Sequence, residues 1–225
     1  MIIVDALNKS FNGVQVVKDL SFIVEEGEFL SITGPSGSGK TTLISALIGA
    51  IKPDSGSIWV HGYNVPKLDA DEIHLLRSMI GVVFQDFKLL ERMTVFENVA
   101  FALEIFGYLK KEIDLRVMEV LKIVGIEKHR NKFPEELSGG EKQRLAIARA
   151  LIHSPSILIA DEATGNLDPN NAMELLKLLL KINENGTTVI FSTHDKELVD
   201  YAKKRVIKLE KGELVFDLRN ASYNG

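Results

Sequence analysis

Gly34-Pro35-Ser36-Gly37-Ser38-Gly39-Lys40-Thr41-Thr42 is the stretch on which the fold turns. It fits the pattern G-x-x-x-x-G-K-[ST]. Its flanks give the pattern meaning. Phe29-Leu30-Ser31-Ile32 before it reads as a buried strand, and Leu43-Ile44-Ser45-Ala46-Leu47-Ile48 after it reads as helix. Glycines let the backbone wrap closely around phosphate oxygens. Amides of the loop and of the helix N-terminus then point at the anion. The candidate contacts are Gly34, Ser36, Gly37, Ser38, Gly39, Lys40, Thr41 and Thr42. Lys40 is placed to reach the β- and γ-phosphates, and the Thr41 hydroxyl to ligate Mg²⁺. The pattern implies a site for a nucleoside triphosphate rather than an ordinary glycine-rich turn.

Composition narrows what surrounds that site. A chain of 225 residues suffices for one large domain, or one core with a subdomain. With 45% hydrophobic and 26% charged residues it falls among ordinary soluble globular proteins. A net charge of −4 supplies no global basic field, so no nucleic-acid partner is expected. Cysteine is absent, which excludes disulfides, thiol catalysis and cysteine-ligated zinc. Met1-Ile2-Ile3-Val4-Asp5 lacks the basic start and long apolar core of a signal peptide, and no uninterrupted apolar run reaches membrane-spanning length. The expectation is a cytoplasmic protein whose membrane role, if any, comes through a partner.

Residues 1–28 and 56–65 read as short strands with turns at Asn12-Gly13, Glu26-Gly27 and Asp54-Ser55-Gly56, forming an antiparallel layer. Ile80-Gly81-Val82-Val83-Phe84 reads as a second buried strand. Residues 94–130 read as helical, with a capping box at Thr94 and Glu97 and a second helix over 112–124 ending near Gly125. Ser138 opens a third helix running to His153, and Asp168-Pro169 opens another to about Glu184. Ile157-Leu158-Ile159-Ala160 and Thr188-Val189-Ile190-Phe191-Ser192 read as buried strands, and 205–218 as a hairpin turning at Lys211-Gly212. The predicted class is α/β: a P-loop NTPase core and an antiparallel β layer over 1–85 and 136–225. A helical subdomain is inserted over roughly 86–135.

Two further patterns carry chemistry. The strand at 157–160 ends in Asp161-Glu162. Asp161, at the strand end, is placed to hold Mg²⁺ through water, and Glu162 suits the base that deprotonates an attacking water. Leu137-Ser138-Gly139-Gly140-Glu141 is a capping-box sequence, yet glycines at the first two helical positions each lower helix propensity by roughly 1 kcal/mol. Close backbone approach to an anion is the compensation. The sequence thus offers two phosphate cradles and nothing suggesting two nucleotides. The second cradle is read as serving the γ-phosphate bound by another copy.

In their joint order these residues resemble the ABC ATPase family across nearly the whole chain. Residues 34–42 match Walker A, Gln85 the Q-loop, 137–141 the signature, Asp161 and Glu162 Walker B, Gly165-Asn166-Leu167-Asp168 the D-loop and His194 the switch histidine. The resemblance implies an ABC nucleotide-binding domain that hydrolyses ATP. It further implies a head-to-tail homodimer, with two ATPs held between Walker A of one subunit and the signature of the other. Ser138, Gly139, Gly140 and Asp168 then join the ATP-binding set, Gln85 joins Thr41 and Asp161 as a metal ligand, and Gln85 and His194 join Glu162 in catalysis. Phe11 falls where an aromatic stacks on adenine, with a core role as the alternative; Val16 packs on the same base or in the core. His61, His74, His129 and His153 show no metal-like spacing and read as structural or surface residues.

Two positions depart from common family wording, Ala163 after the Walker B glutamate and Lys142 after the signature. Neither supplies an obligatory ligand. The wording of 161–168 resembles that shared by the lipoprotein-release, macrolide-export and cell-division ATPases, and the wording of 81–90 and 94–100 is most similar to the cell-division branch of the family. That similarity implies a peripheral place on the cytoplasmic side of the membrane. The expected partner is a membrane permease-like protein, FtsX; a lipoprotein-release or macrolide-type exporter is the alternative. Residues 86–106 are strongly apolar, including Phe87, Leu89, Leu90, Met93, Phe96, Phe101 and Phe106. They read either as subdomain core or as a partly exposed groove for a permease helix.

Overall fold

Three short runs, β3 (Phe29–Thr33), β7 (Ile157–Asp161) and β8 (Thr188–Ser192), are buried at every position. Strands covered on both faces belong in the middle of a parallel sheet, and all three lie there in the computed structural model, which describes residues 1–219. With β6 (Ile80–Phe84), β9 (Arg205–Glu210) and β10 (Glu213–Leu218) they form a six-stranded sheet of order β10-β9-β3-β8-β7-β6. The pairs β6–β7, β7–β8, β3–β8 and β3–β9 are parallel; β10 closes the edge antiparallel to β9.

The second sheet is antiparallel, of order β2-β1-β4-β5, from β1 (Ile2–Phe11), β2 (Val14–Val24), β4 (Ser55–Val60) and β5 (Tyr63–Asn64). Register shifts interrupt the β1–β2 ladder beyond Val4, where Ala6 takes a positive φ of 46°. Gly56 is required beside it, since a Cβ there would lie 2.3 Å from the Ala6 carbonyl oxygen.

Alternation along the parallel strands divides the core. Ile157 and Ile159 point with Leu30, Ile32 and Ile190 into one cluster, shared with the antiparallel sheet and α1 (Lys40–Leu47). Leu158 and Ala160 point with Phe29, Val189 and Phe191 into the other. That second cluster is shared by α3 (Val95–Ile105), α4 (Lys110–Val124), α5 (Gly139–Leu151) and α6 (Pro169–Glu184). The helical stretch near 86–135 therefore shares its core with α5, α6 and the sheet. Two helices went unread in the sequence, α2 (Ala70–Ser78), capped by Asp69, and α7 (Lys196–Ala202), capped by Asp195.

Caps set several boundaries. Thr94 with Glu97, and Ser138 with Glu141, form reciprocal capping boxes. Gly125 ends α4 in the left-handed region at φ 75°. Buried Asn98 fixes the turn before α3 by accepting from the Leu90 amide and donating to the Leu90, Met93 and Thr94 carbonyls.

Candidate nucleotide site

Four parallel strands end at the same edge of the sheet, and each delivers one part of the site. The loop after β3 carries 34–42, Gln85 follows β6, Asp161 and Glu162 end β7, and His194 follows β8. Ligands of open α/β sheets gather at such carboxyl ends. A cavity of about 610 Å³ opens there, lined by Val16, residues 35–42, Gln85, Glu162 and His194.

The loop geometry depends on glycine at two points. Gly34 has φ 142°, and a Cβ on it would lie 2.1 Å from the Leu209 carbonyl oxygen. Gly39 has φ 102°, with the Val16 carbonyl oxygen 2.8 Å from where a Cβ would sit. A support absent from the sequence reading comes from the β9–β10 turn. The Gly212 amide donates to the Ser38 carbonyl at 3.2 Å, and the Lys18 amide to the Gly212 carbonyl at 2.8 Å. The Lys40 ammonium is buried. It donates to the Gly34 and Pro35 carbonyls at 2.8 and 3.2 Å and lies 3.2 Å from Glu162 Oε1.

Glu162 adopts φ 50°, unusual for a residue with a side chain. That twist turns its carboxylate into the cavity, one residue after buried Asp161. Its Oε2 accepts from His194 Nδ1 at 2.7 Å. Burial pushes the Asp161 carboxyl above its ordinary value; the Glu162 charge adds to the rise, while the Ser192 and Thr41 hydroxyls and Lys40 offset part of it. Asp161 Oδ1 is buried with no hydrogen-bond partner. Asp161, Thr41 and Gln85 offer a cation only oxygen ligands, which suits Mg²⁺. Among the described residues no cluster of three or more His, Cys, Asp or Glu could hold a metal ion alone. A magnesium ion here would share its shell with phosphate oxygens, as that ion commonly does.

The remaining predicted residues lie apart from this cavity. Phe11 is an exposed ring at the end of β1, with Lys9 Nζ 5.3 Å from its centroid; it is not in the core. Ser138 and Gly139 are exposed at the N-terminus of α5, and neither they, Gly140 nor Asp168 lines the cavity. Gly140 has a packing reason as well as a chemical one: a Cβ would lie 2.7 Å from Asn171 Oδ1. Gly139 has none, its nearest neighbour being Leu167 at 3.7 Å. Asp168 caps α6 through the Asn170 and Asn171 amides, both at 3.1 Å.

Long-range contacts tie these loops together, and no local signal in the sequence marks them. Asn166 Nδ2 donates to the Gln85 carbonyl at 2.9 Å. Arg149 donates to the Phe87 and Lys88 carbonyls at 3.0 and 2.6 Å, clamping two residues with φ of 57° and 50°. The apolar run at 86–106 divides. Phe87, Leu89 and Phe96 pack on the core, whereas Phe101, Ile105 and Phe106 are exposed. Phe106, Tyr108 and Leu109 line a cleft with Ser78, Glu112 and His153. No helix among the described residues is long and apolar enough to cross a membrane.

Comparison with known proteins agrees with this geometry. The family described as ABC transporter matches residues 17–165. Cell division ATP-binding protein FtsE of Streptococcus pneumoniae serotype 2 (strain D39) is 47% identical over 219 residues, 97% of this chain and 95% of that protein. Methionine import ATP-binding protein MetN of Clostridioides difficile (strain 630) is 45% identical over 216 residues, 96% of this chain and 67% of that protein. Among solved structures, the dimeric bacterial ABC transporter cassette MJ0796 superposes with a TM-score of 0.89 at 37% identity, covering 99% of this chain and 100% of its own. Sharing the family's sequence over more than half its length, and with relatives well above 30% identity across nearly all of it, the chain belongs to the ABC transporter family and is an ATPase.

Proposed function

We propose that the chain binds MgATP in a head-to-tail homodimer and uses its hydrolysis to drive FtsX, a membrane permease-like partner, in bacterial cell division. The observation that carries the dimer is the separation of the two cradles. The exposed residues Ser138 and Gly139 stand outside the cavity that Lys40 serves, and Gly139 has no packing reason to be glycine. A second subunit brings such a patch over the γ-phosphate, and the dimeric cassette at 37% identity supports that arrangement. In this reading residues 34–42 cradle the phosphates, Val16 and Phe11 hold the base, and Asp168 completes the subunit contact. Glu162 takes the proton of the attacking water, oriented by Gln85 and His194. Thr41, Gln85 and Asp161 would hold magnesium, which would supply neutralising charge to the phosphates. The chain would then sit peripherally on the cytoplasmic face of the membrane, its exposed strip Phe101, Ile105, Phe106 and Leu109 receiving a helix of the permease.

Mixing Ser138→Arg with Lys40→Ala subunits tests the arrangement. Each variant alone lacks any complete site, and the mixture regains one. Turnover by Ser138→Arg alone at the parent rate would sink it. The cell-division role is carried by the FtsE relative at 47% identity, with MetN close behind. Co-purification from membranes separates the readings: recovery of FtsX supports the first, and recovery of an exporter or importer permease in its place overturns it.

A further inference from the structure

His129 belongs to none of the family motifs. It sits on the short helical turn Glu127–His129 that leads from α4 toward the signature. Its Nε2 lies 2.9 Å from Glu141 Oε1, in the first turn of α5. The other carboxylate oxygen, Oε2, accepts from the Ser138 amide at 2.8 Å and the Ser138 hydroxyl at 2.7 Å. Glu141 is thus held at both oxygens, one by the signature serine and one by a residue outside the signature. His129 Nδ1 is buried without a partner, so the described contacts give the ring one polar anchor. That anchor is the carboxylate which orients Ser138.

A serine hydroxyl has a single hydrogen to donate. Here Glu141 takes it. For Ser138 to bind a γ-phosphate, the hydrogen must leave the carboxylate and point at the phosphate. A second donor on Glu141 lowers the penalty of that exchange, because the carboxylate stays hydrogen-bonded through Oε1 and the Ser138 amide. We propose that His129 is a positioning residue for the signature: by holding Oε1 of Glu141, it frees the Ser138 hydroxyl to address ATP carried by a second copy. The proposal rests on the reading that Ser138 acts across the dimer.

The test uses the full chain carrying Glu162→Gln, expected to bind ATP without turning it over, with MgATP as the probe. Sedimentation velocity gives the dimerisation constant, and titration at low protein concentration gives ATP affinity in the monomer. His129→Ala is expected to weaken dimerisation on the order of tenfold while leaving monomer ATP affinity unchanged. His129→Gln, which keeps a donor of similar reach, is expected to restore most of the loss. In a Glu141→Ala background, which leaves the ring no acceptor, His129→Ala should add nothing, because the two act in series. His129→Leu repeats the measurement if the alanine variant does not fold. Parent-like dimerisation of the variants lacking a donor, equal loss in His129→Gln, or additive loss with Glu141→Ala overturns the proposal. Parent-like dimerisation of Ser138→Arg overturns instead the underlying reading of the signature.

Discussion

The Lys40 ammonium and the Glu162 carboxylate meet at 3.2 Å, within the cavity that the phosphate loop encloses. In the proposed reading Lys40 is also the cation that the loop directs at phosphate. Phosphate oxygens and Glu162 therefore compete for one ammonium group. On that reading phosphate binding loosens the Lys40–Glu162 pair and leaves the carboxylate to His194 and to a water.

In the proposed reading, replacing Glu162 with Gln removes both the base and the competitor. ATP affinity should be kept or raised, and turnover should fall by about 10²–10⁴. Phosphate release and equilibrium titration check the two halves. With ATP bound, light scattering should report a doubled mass. Near-normal turnover would refute the assignment of Glu162.

Phe11 is exposed, so its truncation should leave the melting temperature almost unchanged. If its ring stacks on adenine, Phe11→Ala weakens ATP and ADP equally, by roughly 1–3 kcal/mol. Titrations with both nucleotides measure this. Unchanged affinity for both removes Phe11 from the site.

The exposed strip from the end of α3 to the start of α4 gives a contrast between neighbouring side chains. Ile105→Ser and Leu109→Ser touch exposed side chains and should spare folding and ATP binding. They should reduce recruitment to membranes containing the permease, read by fractionation. Leu103, in α3 with Ile105, is fully buried, and Leu103→Ala should cost about 2–5 kcal/mol of stability. Normal recruitment of both serine variants would move the docking site elsewhere.

Acid should unfold the protein partly through its helix caps. The Thr94 amide holds Glu97 below its ordinary value, the Ser138 hydroxyl holds Glu141 below, and Asn171 holds Asp168 below. A carboxyl depressed in the fold binds protons more readily in the unfolded chain. Its contribution is complete above the unfolded values of 4.5 for glutamate and 3.8 for aspartate, and is lost as pH falls through the folded ones. Buried Asp161, raised in the fold, works in the opposite direction. Melting temperatures from pH 7 to 3 should fall, and fall less steeply in Glu97→Gln. An identical slope in that variant would exclude its cap from the effect.

Legibility followed the range of the interactions. The caps at Thr94, Ser138 and Asp168 are chemistry within three residues, and each stands where the sequence places a helix start. The buried strands are short apolar runs, and they were equally plain. The helix after Asp69 escaped notice although Glu72 completes its capping box, because Leu76 alone among its residues is buried and the apolar period is faint. Within the site, each motif could be read one by one from its own residues. What joins them could not. Asn166 on the Gln85 carbonyl spans 81 positions, and Arg149 on the Phe87 carbonyl spans 62. Nothing near either residue marks its partner.

One arrangement has a meaning for how the molecule is made. The strand that feeds the phosphate loop, β3, is flanked by β8 and β9, and the loop leans on Gly212. Synthesis runs from the N-terminus, and pairings so distant in the chain form slowly. A growing chain that has not yet reached Arg205 holds the whole phosphate-binding sequence with one side of its strand bare. The sheet that supports the phosphate loop is therefore complete only when the strands made after residue 187 close around one made long before.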